Sequence, residues 1–143
     1  MKLVLKEAIY LPIDPPTATA QQKGLRVVNG HPQFYEKQNV KDAKKYLGMY
    51  LKKFAPKEPY TGALRMDVTF AFATKDSKKI EQEYRSTRPD IDNLYKGLAD
   101  LLCDLGYFKD DAQIVNVMLR KLWVSPEDAH LSITISQYEE GEE

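Results

Sequence analysis

The sequence contains one cysteine and two histidines, and that scarcity removes several chemistries at once. A lone Cys103 excludes an internal disulfide and suits a reducing cytoplasm. Neither His31 nor His130 lies near it in sequence, so Cys103 reads as a small space-filler and not as a nucleophile. The histidines form no HExxH pair and no zinc-finger spacing. A GxxxxGK[ST] phosphate loop is missing, as is a dinucleotide fingerprint, so no nucleotide cofactor is expected. No Ser–His constellation offers a serine nucleophile with its base. No apolar run approaches the length of a membrane span, and the stretch MKLVLKEAIYLPID is broken by Lys6 and Glu7, which argues against a secretory signal. Internal repeats and low-complexity linkers are lacking too. A chain of 143 residues predicts one domain with a core of its own.

Excess charge of either sign is also lacking: 21 Lys and Arg balance 21 Asp and Glu. A nucleic-acid enzyme is expected to be basic, but the balance hides an asymmetry. Residues 1–89 hold 17 basic and 9 acidic side chains and residues 90–143 hold 4 and 12, so the halves carry +8 and −8. The basic half can hold a nucleic-acid backbone. The acidic half ends in Glu139, Glu140, Glu142 and Glu143, read as a solvated tail over 139–143 that follows a domain over 1–138.

What is present is concentrated between Arg88 and Asp111, RPDIDNLYKGLADLLCDLGYFKDD. Pro89 favours a turn before a helix, and Asp92 is a good N-cap. At about 100° per residue, Leu94, Leu98, Leu101, Leu102 and Leu105 fall on one side. Asp92, Lys96, Asp100 and Asp104 fall on the other, and Gly106 closes the helix. Gly97, mid-helix, costs roughly 1 kcal/mol relative to alanine, which a close approach by a backbone or ligand would explain. A helix from Asp92 to Leu105 is about 20 Å long, and an extended return from Gly106 to Asp111 covers about the same length. The spacing therefore permits Asp90, Asp92 and Asp111 to gather beside Lys96. Carboxylates around one lysine suit magnesium-dependent phosphodiester cleavage, and they are poor core material. All-oxygen ligands predict a hard ion, Mg²⁺ or Mn²⁺.

A plainer account stands beside this one. Aspartates at a helix start cap free N–H groups and complement the dipole. Lys96 can pair with Asp92 and Asp100 at i,i+4 for a few tenths of a kcal/mol. Asp110 and Asp111 can form an ordinary turn.

The remaining chain reads as strands and one further helix, an α+β domain with a mixed sheet and two main helices. Leu3 to Leu11 predicts a strand, and Gly24 to Tyr35, with Asn29-Gly30 at its centre, a tight hairpin. Val40 to Phe54 has helical spacing, with lysines on its outer face. Leu64 to Phe72 alternates as a half-buried strand does. Ile114 to Trp123 and Leu131 to Gln137 supply two more. Thr74 to Thr87 lacks apolar periodicity and reads as a basic loop leading into Asp90. Its Lys75, Lys78, Lys79 and Arg85, together with Arg88, either contact DNA phosphates or form a mere surface loop. Trp123 and Tyr84 can stack on bases, although lone aromatics more often belong to a core or its rim.

The run RPDIDNLYKGLADLL followed by GYFKDDAQI resembles the RusA family of Holliday junction resolvases, small endonucleases often carried by phages and prophages. The family pattern is an aspartate, one residue, Asp-Asn, a lysine four residues beyond the second aspartate, and a downstream Asp-Asp. Asp90, Asp92, Asn93, Lys96, Asp110 and Asp111 occupy those positions. The match is strong from Arg88 to Val115 and general elsewhere. The resemblance implies a symmetric homodimer that binds four-way DNA junctions and makes paired nicks with Mg²⁺. Asp90, Asp92, Lys96 and Asp111 are then catalytic, with the three aspartates as metal ligands. Two other functions fit the same sequence: a junction-binding module without catalysis, and a nuclease for flaps or branched forks.

Overall fold

In the computed structural model, which describes residues 1–19 and 23–141, six strands and three helices form one α+β unit. Strand β1 (Lys2–Leu11) leads to a hairpin of β2 (Lys23–Val28) and β3 (His31–Glu36). Helix α1 (Gln38–Leu51) continues as a 3-10 turn over Lys52–Phe54. Then come β4 (Leu64–Ala73), the short α2 (Ser77–Gln82), α3 (Ile91–Asp104), β5 (Ile114–Val124) and β6 (His130–Glu139). The main sheet has the order β1-β6-β4-β5. It is mixed: β4 runs parallel to β5, and β6 is antiparallel to both β1 and β4. The hairpin forms a separate two-stranded sheet. Its turn places Asn29 at φ 51° and Gly30 at φ 78°, as a two-residue primed turn demands.

Alternation along the strands directs one face of the main sheet inward. Ile9, Leu11, Met66, Val68, Phe70, Leu131, Ile133 and Ile135 join Leu94, Leu98 and Leu102 of α3 in a single core. Each such side chain, fully buried, contributes about 1.5–3 kcal/mol. Tyr107 and Phe108, directly after α3, plug into the same core, and the Tyr107 hydroxyl donates to the Leu51 carbonyl. No helix among the described residues is long and apolar enough to cross a membrane.

Several expectations need correction. Strand β4 is half-buried only in its first half; as a central strand paired on both sides, it buries Thr69 and Ala71 of the second half as well. The segment expected as a loop over 74–87 contains α2, capped by Asp76. The N-cap of α3 is Asp90 and not Asp92. Strand β6 extends through Glu139, which pairs with Lys2 in register and bonds Lys6 at 3.2 Å. Glu139 is therefore sheet and not tail, because β1 offers it both a ladder partner and a cation. Glu142 and Glu143 lie outside the described residues.

Candidate active site

Asp90 enters α3 with extended backbone (φ −68°, ψ 140°), and Asp92 occupies the first turn. An N-cap aspartate ordinarily spends its carboxylate on a free backbone N–H. Asp90 does not. Among the described residues, the carboxylates of Asp90, Asp92 and Asp111 and the ammonium of Lys96 make no hydrogen bond or ion pair, and all four residues are exposed. Other aspartates of this chain do cap. The Asp76 carboxylate accepts from the Lys78 amide at 3.0 Å, and that of Asp110 from the Ala112 amide at 2.9 Å. The dipole of α3 still favours charge at Asp90 and Asp92. Local capping thus accounts for Asp76 and Asp110 and leaves Asp90, Asp92 and Asp111 uncommitted. The pairing of Lys96 with Asp92 or Asp100 is not formed either.

The downstream turn is held firmly. Asp110 forms a capping box with Gln113, whose side-chain oxygen accepts from the amides of Lys109 and Asp110 at 3.0 and 3.1 Å. The Gln113 amide nitrogen donates to the carbonyls of Tyr60 and Gly62 at 3.0 and 3.1 Å. Asp111, the first residue of the 3-10 turn Asp111–Gln113, projects from this braced base.

Asp90 and Asp111 line separate hollows. Asp90 lines a polar hollow of about 380 Å³ with Thr17, Thr19, Arg85, Arg88, Pro89 and Asn93. Asp111 lines another of about 400 Å³ with Lys44, Asp100, Cys103, Asp104, Lys109 and Asp110. Among the described residues, no group of three His, Cys, Asp or Glu side chains could hold a metal ion. After α3, Gly106 (φ 89°) turns the chain and Tyr107 and Phe108 enter the core, where Phe108 bridges Tyr60. Asp111 is left beside the body of α3. There its charge adds to burial in raising the Tyr95 phenol, and adds to burial and to Asp104 in raising the Cys103 thiol. Cys103 itself packs half-buried against the core, with its thiol 3.5 Å from the Lys109 carbonyl.

The donors fit a hard divalent ion without a closed three-carboxylate cage. Mg²⁺ keeps several waters and takes one or two carboxylates together with substrate phosphates. Asp90 and Asp92, oxygen donors free of other bonds on one helical turn, meet that requirement.

The approach to Asp90 contains residues that sequence reasoning missed. Lys121 of β5 donates its ammonium to the carbonyls of Thr87 and Pro89 at 2.9 and 2.7 Å. Burial lowers its pKa, and the Arg85 charge lowers it further against Asp90. Arg85 donates to the Arg88 carbonyl at 2.6 Å, and its guanidinium lies 4.4 Å from the ring centres of both Phe72 and Trp123. Lys79 stands 4.8 Å over the same indole. Arg85 is thus packed against the aromatic rim of the core while it also lines the hollow beside Asp90. Lys75, Lys78 and Arg88 are exposed and in no ion pair among the described residues. Trp123 is a half-buried rim residue, while Tyr84 is 60% exposed. A signal for Lys121 existed in the cationic pair Arg120-Lys121 set inside the apolar run of β5, and one for Gln113 in its offset of three from Asp110. Gly97 faces no close neighbour, so the expected tight approach is not made within the chain.

Comparison with known proteins adds the following. The model of a family described as Endodeoxyribonuclease RusA matches residues 13–136. The crossover junction endodeoxyribonuclease rusA of Lactococcus phage r1t is 36% identical over 127 residues, spanning 87% of this chain and 93% of that protein. The uncharacterized protein YqaN of Bacillus subtilis (strain 168) is 29% identical over 118 residues, spanning 76% and 82%.

Proposed function

The chain belongs to the RusA family of endodeoxyribonucleases, and we propose that within this activity it resolves four-way DNA junctions as a symmetric dimer with Mg²⁺. The observation that carries the proposal is the contrast among its aspartates. Asp76 and Asp110 cap, whereas Asp90, Asp92 and Asp111 stay exposed with free carboxylates. Exposed, unpaired carboxylates at a helix start repel a DNA backbone unless a cation intervenes.

Asp90 and Asp92 hold the ion in this reading, with Asp111 as the third essential carboxylate. A divalent ion bound there supplies acidification of water and neutralisation of phosphate charge. Lys96, one turn into α3 and free of ion pairs among the described residues, faces the negative charge that grows on the phosphoryl oxygens. Arg88 and Asn93, lining the hollow with Asp90, orient the phosphate by hydrogen bonds. Lys75 and Lys78 hold the flanking backbone. The exposed apolar side chains of the hairpin (Leu25, Val27, Phe34) and of β5 (Val115, Val117, Met118) support association with a second copy. Two sites related by a two-fold axis match a junction of the same approximate symmetry.

The test is cleavage of a synthetic immobile four-way junction beside flap and linear duplexes, with Mg²⁺, Mn²⁺, Ca²⁺ or EDTA. Paired nicks in the junction are expected with Mg²⁺ or Mn²⁺ and not with Ca²⁺, which takes more ligands at longer distances. Preferred cutting of flaps would assign the same chemistry to another substrate. Binding without any cutting would make the chain a junction-binding module, and full activity in excess EDTA would remove the metal.

A further inference from the structure

We propose that Lys121 is a positioning residue for Asp90, acting with Arg85 as a clamp on the backbone that carries this carboxylate into α3; the proposal rests on Asp90 being a site residue. Three successive carbonyls precede Asp90, and each is held by a cation, Lys121 from β5 or Arg85 from the loop paired to it. Lys121 takes those of Thr87 and Pro89 at 2.9 and 2.7 Å, and Arg85 takes that of Arg88 at 2.6 Å. The two cations are themselves tied, since the Arg85 amide donates to the Lys121 carbonyl at 2.9 Å. The Arg85 guanidinium packs against the adjacent rings of Phe72 and Trp123, 4.4 Å from each centre. Thr87 and Arg88 are exposed and water can satisfy their carbonyls, whereas Pro89 is buried and its carbonyl needs a donor from the protein. Half-burying two like charges behind three carbonyls is costly unless the path of the loop matters.

The clamp replaces what the N-cap leaves undone. A capping side chain normally fixes the entry angle of a helix, but the Asp90 carboxylate bonds no backbone N–H. Holding the loop from behind leaves that carboxylate free while its backbone stays fixed. The first intrahelical bond, from the Leu94 amide to the Asp90 carbonyl at 3.1 Å, reports directly on whether Asp90 is in place.

Arg120, the neighbour of Lys121 on β5, serves as the control. It faces away from the loop, bonded to Asp67 at 3.1 Å and Thr69 at 2.7 Å. The experiment compares wild type, Lys121→Met, Lys121→Arg and Arg120→Met by amide exchange at Leu94 without metal, junction affinity, and single-turnover cleavage of a synthetic junction with Mg²⁺. Lys121→Met is expected to exchange about tenfold faster at Leu94. Its cleavage should be about a hundredfold slower, the scale of a misplacement near 1 Å, with junction affinity unchanged. Lys121→Arg should recover the exchange protection and part of the rate, and Arg120→Met should leave both at wild-type values. If Lys121→Met does not fold, Lys121→Gln takes its place under the same criteria. Wild-type exchange and cleavage in the Lys121 variant would overturn the proposal, as would equal losses in Arg120→Met. If the wild-type protein cuts no junction, the functional reading fails separately, and exchange at Leu94 alone decides whether the clamp exists.

Discussion

Asp110 and Asp111 are sequence neighbours with opposite commitments: the Asp110 carboxylate accepts from the Ala112 amide at 2.9 Å, while that of Asp111 accepts nothing among the described residues. Asp110→Ala should cost about 1 kcal/mol of stability through the lost cap and keep most cleavage. Asp111→Asn should leave thermal stability unchanged and abolish cleavage. Measuring melting temperature and cleavage on both variants checks the division of labour. Full cleavage by Asp111→Asn would reduce Asp111 to a turn residue.

Lys96→Ala gives a second prediction. With no ion pair to lose among the described residues, the variant should lose well under about 1 kcal/mol of stability. Turnover should fall by roughly two to three orders of magnitude, the scale seen when one preorganised donor is removed. Binding should barely change, because one phosphate-facing cation among many contributes modestly. Lys96→Arg should recover only part of the rate, since its planar fork replaces a compact ammonium. An unchanged single-turnover rate in Lys96→Ala would take this lysine out of the mechanism.

The basic residues before Asp90 should separate into two groups. Replacing Lys75 and Lys78 together by alanine should reduce the slope of log affinity against log salt by about 2, close to one counterion per lost phosphate contact, with no change in melting temperature. Arg85→Ala should instead lower the melting temperature, because the residue is packed against Phe72 and Trp123. A stable Arg85→Ala protein with a reduced salt slope would restore Arg85 as a DNA contact.

Alkaline pH should unfold the protein earlier than its charge balance suggests. Burial, helped by Glu7 and Tyr60, pushes the Tyr107 phenol well above its ordinary value of 10.0, and Tyr60 and Tyr95 are raised in the same direction. A group raised on folding contributes stability that is present below its unfolded pKa and is lost as pH rises through the folded one. The melting temperature should therefore decline above about pH 10. Lys121 and Arg85, lowered on folding, work in the opposite direction, while Tyr46 and Cys103 join the three raised phenols. Tyr107→Phe should be less stable at neutral pH by about 1–2 kcal/mol, since it leaves the Leu51 carbonyl without its donor, and should show the shallower alkaline decline.

Much of this was legible in the sequence. The leucine spacing of α3, the Asn29-Gly30 turn and the alternation of β4 are local signals, and each element formed where its pattern placed it. The unusual density of aspartates around Lys96 also marked the right segment. Misreadings arose where distant residues decide. The burial of Tyr107 and Phe108 directly after α3 has no periodic signal, because the segment is too short to show one. The packing of Arg85 against Phe72 and Trp123 joins residues far apart in sequence, so no local pattern announces it. Helix α2 lacks an apolar stripe and has no buried residue, so periodicity could not reveal it; its Asp76 cap was the usable clue.

Strand β6, the last of the six in sequence, lies in the interior of the main sheet, between β1 and β4. During synthesis, which proceeds at about 5–20 residues per second, β1 and β4 emerge well before the strand that joins them. Until β6 leaves the ribosome, two unpaired edges wait beside an unfinished core, and α3 has only part of the surface it packs on. A nascent chain thus cannot present Asp90 and Asp92 in their final setting. Products truncated before residue 130 should be insoluble and inert, so a DNA-cutting activity becomes available only to chains that have been read through their final strand.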